Sequence, residues 1–428
     1  MIYTLAQQLE PLAIDFEVLQ KKYSPMLSLV NELIGVIPNA DPIMEIWPTG
    51  FRTYNLLVPN LLNLPHSLWK NKPLKALKGL AMYTSSRVAE CQYCSAHTCS
   101  FALRRGLDPE VISGKRKYTV IENAIVELAK GISEVPVKIT KKELILLNTH
   151  ISKEEIEEIV LSVALMGFLN KFMDAVGIEL ENSSLKDVGK LLSATGWHPG
   201  KHRRDEIDFD GLISSPIQKD NFWTYLRILK FAPKSVLLEK KWTKGVPDNY
   251  TQSALYLKKH TGYTFPILEK IKSKRVIKAL TTVLKDNLDP VKSELGIRVK
   301  YLTSLVYFIT INNITLAKEA EVIITRLTPE IGLMTLDKVK NIAKQCTPKE
   351  SKVCKSILSD FEENTCLTKE EAAAVILAKA MSTSPAEVNK TILIEITPYM
   401  KPESAIELGI WISIQQLFHR LQTYYQII

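Results

Sequence analysis

Two stretches of this chain are copies of one another. Thr119, Glu122, Leu128, Ala129, Lys130, Ser133 and Pro136 recur as Thr368, Glu371, Leu377, Ala378, Lys379, Ser382 and Pro385, each at an offset of 249 residues. Ile159, Val163, Phe168 and Phe172 correspond at the same offset to Leu408, Ile412, Leu417 and Leu421, apolar in both places. Self-similarity on this scale means one packed unit built twice. Upstream, Gly106-Leu-Asp-Pro-Glu110 matches Arg326-Leu-Thr-Pro-Glu330 at an offset of 220. The second copy therefore holds about 29 extra residues, between Ile331 and Thr368.

The unit reads as helical. Ser152 with Glu155 has the spacing of a capping box, in which each side chain satisfies the other residue's backbone N–H, and Thr119 with Glu122 and Thr368 with Glu371 repeat it. Behind Ser152, Ile156, Ile159, Val160, Val163 and Gly167 fall on one face at period 3.6. Alternating strand-like runs are scarce, and no Asn-Gly or Asp-Gly turn joins two of them. A nearly all-α chain of two repeats follows. Between the copies, Gly196-Trp-His-Pro-Gly-Lys-His-Arg-Arg-Asp-Glu206 is rich in turn formers and charge. The domains are accordingly 1–200, a linker at 201–222, and 223–428, with Trp197 read as an anchor that docks the linker.

Charge and composition narrow the function classes. The net charge is +9 and the isoelectric point about 9.0. The basic residues are scattered, and the densest runs, Lys115 to Lys117, Lys201 to Arg204 and Lys270 to Lys278, are short and mostly interrupted, unlike a phosphate-tracking stripe. No nucleic-acid or membrane partner is expected. The N-terminus has no basic segment ahead of an apolar one, and the longest apolar run, Ile159 to Leu169, is too short to cross a bilayer. The chain is read as cytoplasmic, where a close cysteine pair is more often catalytic or metal-binding than structural.

Such a pair lies in Glu90-Cys-Gln-Tyr-Cys-Ser-Ala-His-Thr-Cys-Ser-Phe-Ala-Leu-Arg-Arg-Gly106. On a helix, Cys91 and Cys94 are one turn apart, with Cα atoms about 5 to 6 Å from each other, inside disulfide reach. His97 follows Cys94 by three residues, about 60° around the helix, near enough to approach its sulfur. A helix starting near Ser86 or Ala89 would add its N-terminal dipole, which favours a thiolate. Cys99 points away and is read as a core thiol. A redox pair, inert core sulfur and a metal site all remain open on these grounds, although no second CxxC or HxxxH supplies the remaining ligands of a zinc site. His198 and His202 share the linker without partners for a metal. No cofactor motif is present.

The stretch Ser85-Ser-Arg-Val-Ala-Glu-Cys-Gln-Tyr-Cys-Ser-Ala-His-Thr-Cys through Glu110 resembles the signature of the carboxymuconolactone decarboxylase superfamily, in its alkyl hydroperoxidase D-like (AhpD-like) branch. The later Ile151-to-Glu181 segment resembles that family's final core helix. The resemblance covers residues 50 to 185, and the second copy only through the internal repeat. It implies an all-α, oligomerising bundle whose cysteine pair reduces hydroperoxides or disulfides with electrons from an external thiol or dithiol. Carried over by position, Cys94 attacks the peroxide, Cys91 resolves the sulfenic acid and His97 relays the proton. The hydroperoxidase has its histidine one residue later and an acid upstream of the first cysteine. Here Lys78 and Gly79 stand upstream, leaving Glu90 and Glu122 as candidate acids.

At the offset of 220 the second copy has Ile311, Ile314 and Ala317 in place of the motif, so it is a degenerate repeat that substitutes for a partner subunit. Cys346, Cys354 and Cys366 belong to no motif. Two other function classes are consistent with the residues: a non-catalytic helical scaffold, and a decarboxylase-type lyase that does not use the cysteines.

Overall fold

A computed structural model describes residues 3–64, 66 and 72–428. Helices make up 71% of it, and no strand occurs among the described residues. Twelve helices position the site: α1 (Ser24–Ile34), α2 (Pro48–Leu61), α3 (Lys72–Val88), α4 (Gln92–Arg104), α5 (Val120–Ser133), α6 (Lys153–Val176), α7 (Phe222–Trp242), α8 (Lys274–Asn287), α9 (Gly296–Thr310), α10 (Ile314–Leu327), α11 (Lys369–Ser382) and α12 (Pro402–Ile427). Thr119, Ser152 and Thr368 cap α5, α6 and α11, each within a complete capping box.

The centre of the molecule is the α6–α12 pair. Gly167 allows the close approach: a Cβ there would come within 2.8 Å of Arg420 Cδ. Helix α6 is long and apolar enough to cross a membrane by length and composition, and 94% of its apolar window is buried in the fold. It is apolar all round because it is covered all round.

Around this pair the two halves repeat the same contacts. Helix α3 packs on α4 and α5, as α9 packs on α10 and α11. Lys78 donates to Leu62 O at 2.9 Å and lies 3.7 Å from Glu158; Lys300 donates to Asn287 O and pairs with Glu407, both side chains fully buried. The lysines are 222 residues apart and the glutamates 249. The halves are interleaved, with α1 against α7 and α2 against α8. In the second half, helices Leu333–Lys344 and Ser351–Asn364 precede α11, where the first half has the four-residue helix Pro109–Ile112 before α5.

Helix caps refine the register. Glu90, at φ +53°, turns the chain into Cys91, which caps α4; Asn312, at φ +57°, turns it into Asn313, which caps α10. Both turns carry the same backbone hydrogen bonds, Cys91 N to Ser86 O and Asn313 N to Phe308 O. Cys91 therefore corresponds to Asn313, Cys94 to Leu316 and His97 to Glu319, rather than to Ile311, Ile314 and Ala317. The offset is 222 there, two more than the Pro109–Pro329 match suggests.

Candidate functional site

Helix α3 ends at Val88, so the cysteine motif opens a helix of its own. Cys91 is its cap, and Cys91 Sγ accepts the backbone N–H of Cys94 at 3.4 Å. A thiol is a weak acceptor, whereas a thiolate at this position satisfies a helix donor that would otherwise have no partner. Cys91 and Cys94 approach to 3.2 Å, both as free cysteines.

Two residues far along the chain complete the surroundings of Cys91. Asp174 comes from the last turn of α6, and His202 from the 3₁₀ turn Gly200–His202. His202 is buried, and its Nδ1 donates to Ile178 O at 2.7 Å. That bond turns Nε2 toward Asp174 Oδ1, 3.7 Å away, and toward the Cys91 thiol. Neither Nε2 contact has full hydrogen-bond geometry, so the attraction is chiefly that of charges in a dry site. Asp174 is held in turn by Lys201 Nζ at 2.9 Å and by the backbone N–H of Ala386 at 2.6 Å.

The electrostatics follow from this placement. Burial alone would push the Cys91 thiol up, but the Cys94 S–H and the His202 imidazolium bring it down to about 6, against a smaller opposing push from Asp174. Burial would lower His202, and Asp174 with Cys91 raise it to about 9. Asp174, which burial would raise, is brought down to about 2 by His202 and Lys201. Cys94 is pushed well above the ordinary thiol range, first by burial and then by the neighbouring Cys91. At neutral pH the pair is one thiolate, Cys91, accepting from one thiol, Cys94.

Cys94 also faces a cavity, of about 1290 Å³ including its open mouth. Its walls are mostly apolar, among them Leu33, Met82, Phe101, Met166 and Trp242, and His97, Tyr54 and Tyr93 stand near the cysteine. His97 does not touch Cys91. Its Nε2 meets Glu181 Oε2 at 2.7 Å, and Tyr93 donates to the other oxygen of Glu181 at 2.6 Å. Glu181, which burial would raise, is kept low by His97, Tyr93 and the backbone N–H of Asn39. Asp41, buried beside this group, is raised to about 8, first by burial and also by Glu181 and Glu45.

The three sequence candidates are thus in one place, with Cys94 and His97 on the cavity and Cys91 behind. The acids are not Glu90 or Glu122. Glu90 is exposed in the turn before Cys91, and Glu122 caps α5 and pairs with Arg116 at 2.7 Å. Glu181 stands beside His97 and Asp174 beside His202 instead, and the basic side chain facing Cys91 is His202, from the segment read as linker. The division at residue 201 therefore cuts through the site. Trp197 does anchor that segment, by donating to Gln92 O at 3.2 Å. A large apolar side chain among Gly, Pro and His residues was the available signal that the segment folds back onto the protein. Cys99 is a buried core thiol, and no cluster of three metal-ligating side chains occurs among the described residues.

No protein-family model matches the chain, and no curated protein matches it. Among solved structures, the apo form of the debrominase Bmp8 is 22% identical over 42% of this chain and 95% of that one, with a TM-score of 0.37. A cysteine-to-alanine variant of the same debrominase in complex with 2,3,4-tribromopyrrole is 21% identical over the same shares, also with a TM-score of 0.37. A likeness at that level supports no inference about activity.

Proposed function

We propose that the protein is a thiol-dependent oxidoreductase of the AhpD-like kind, reducing hydroperoxides that carry an apolar group. The observation that carries this reading is the division of labour between two touching sulfurs: Cys94 lines the cavity, while Cys91, behind it, is held ionised by His202 and Asp174.

Cys94 passes its proton to the Cys91 thiolate and attacks the terminal peroxide oxygen. The O–O bond breaks, Cys94 becomes a sulfenic acid, and the departing alkoxide takes a proton from His97, which the Glu181 carboxylate orients. Cys91 then attacks the Cys94 sulfur, and water leaves with its proton as the disulfide forms. An external dithiol reopens that disulfide. His202 keeps Cys91 poised as proton acceptor and Asp174 keeps His202 charged. The mostly apolar cavity supports an organic peroxide over hydrogen peroxide, since water-like molecules gain little from such walls.

The second half supplies part of this cavity, through Ala232, Val236 and Trp242 of α7 and Arg275 of α8. That arrangement supports a duplicated AhpD-like unit whose second copy has lost the motif and serves as a permanent partner for the first.

The test is peroxide consumption with cumene hydroperoxide and a dithiol donor, alongside thiol counting. Two thiols should disappear together. Cys94→Ser should abolish turnover, and Cys91→Ser, which lacks both the base and the resolving thiol, should form slowly a sulfenic acid that persists and that a dimedone probe captures. Peroxide turnover that survives Cys94→Ser, or no thiol loss under excess peroxide, refutes the reading.

A further inference from the structure

The second half contains a cavity of its own, of about 1010 Å³ including its opening, which the thiol chemistry does not use. It occupies the place that corresponds to the first. Cys94, His97 and Phe101 on α4 correspond to Leu316, Glu319 and Ile323 on α10, 222 residues later. Met166, Leu169 and Met173 on α6 correspond to Gln415, Phe418 and Gln422 on α12, 249 residues later. All twelve side chains line their respective cavities. The sulfur chemistry has gone and the space has been kept.

What lines that space has changed in kind. The walls are aromatic, with Tyr263, Phe265, Tyr301, Phe308, Trp411 and Phe418. Tyr263 and Phe265 meet edge to face at 4.9 Å, and Tyr301 stands perpendicular to Trp411 at 6.2 Å. Glu319 replaces the histidine. It accepts a hydrogen bond from the Tyr263 hydroxyl, and no basic side chain forms an ion pair with it among the described residues. The Tyr301 hydroxyl, on the same wall, is buried with only 3% of the residue exposed and has no hydrogen-bond partner among the described residues. At the opening, exposed Glu269 and Lys270 are of opposite charge, so Glu319 sets the sign inside. A carboxylate without a counter-ion, a vacant hydroxyl acceptor and several ring faces are what an ammonium group on an apolar body requires.

We propose that this second cavity binds an organic cation, a primary ammonium on a small aromatic or apolar body. The ammonium donates to Glu319 and to the Tyr301 oxygen, and the body lies against Tyr263, Phe265 and Phe418. Trp411 takes a lesser part, because Lys300 Nζ already lies 5.5 Å from its ring centre. A neutral ligand would desolvate the carboxylate without replacing its hydration, and an anion would be repelled.

Calorimetry on the full-length protein decides this, with phenethylammonium as probe, 2-phenylethanol as its neutral counterpart and phenylacetate as the anion. Phenethylammonium should bind saturably, at least about tenfold more tightly than 2-phenylethanol, with phenylacetate not binding. Glu319→Gln should remove that preference and Tyr301→Phe should weaken it, while Cys94→Ser leaves binding unchanged because the first cavity is not involved. Circular dichroism and melting establish that each variant is folded; if Glu319→Gln is not, the ligand preference of the natural protein and Tyr301→Phe decide. Equal binding of the alcohol, no binding at millimolar cation, or unchanged binding to folded Glu319→Gln overturns the proposal.

Discussion

Replacing His202 by glutamine removes the charge that keeps Cys91 ionised while leaving Cys91 buried and Cys94 in place. In the native site the Cys91 thiol is lowered from 9.0 to about 6, three units, or about 4 kcal/mol of preference for the thiolate. Near pH 7 that leaves Cys91 mostly thiolate, against about one part in a hundred for an unperturbed thiol. In His202→Gln, burial acts against the helix N-terminus and Cys94 alone. The midpoint should rise by about two units or more, and the rate of reaction with peroxide near pH 7 should fall by a factor of at least about ten. Thiolate absorbance in the ultraviolet, followed from about pH 4 to 10 on the reduced protein, reads the midpoint directly. The natural protein should show one transition near 6 that Cys91→Ser abolishes. A transition that stays near 6 in His202→Gln, or survives Cys91→Ser, refutes the assignment of the thiolate and of its partner.

The same pair gives stability a pH window. Cys91 is depressed by folding, so its contribution is full above 9 and is lost as pH falls through about 6. His202 is raised, so its contribution is full below 6.5 and is lost as pH rises through about 9. The two are one interaction seen from both partners and are not added. The urea midpoint should be highest between those limits, and His202→Gln should flatten that dependence.

Further outcomes follow from other contacts. Glu181→Gln leaves His97 without its carboxylate, so peroxide turnover should drop several-fold while the Cys91 midpoint stays near 6; a shift of that midpoint would show the two histidines to be linked. Gly79→Ala places a Cβ 2.6 Å from the backbone Cα of Ala102, where the cysteine helix lies against α3. A loss of about 1 to 3 kcal/mol in urea unfolding is expected, and no loss would mean that α4 can move away freely. Lys300→Met strands the buried Glu407, which then relies on Ser293 and the backbone N–H groups of Glu294 and Leu295. About 3 kcal/mol of destabilisation is expected, and Lys300→Met combined with Glu407→Gln should recover part of it; equal melting of the single variant and the parent would contradict the buried pair.

Local chemistry made much of this protein legible from its sequence. Capping boxes at Thr119, Ser152 and Thr368 are decided within four residues, and the apolar period of α6 within a few turns. Cys91, Cys94 and His97 are close because they share one short segment. The second copy's loss of sulfur was equally plain, although its alignment was off by two residues until the caps at Cys91 and Asn313 set the register. What the sequence could not reveal is which distant groups a buried thiol would meet. Asp174, Glu181 and His202 carry no motif, and burial among charges, which decides their ionisation, exists only once α6 has packed against α12 and the segment after Trp197 has folded back on α4. Spacing along the chain placed two sulfurs side by side; the low-dielectric interior made by the packed helices decided which of them is charged.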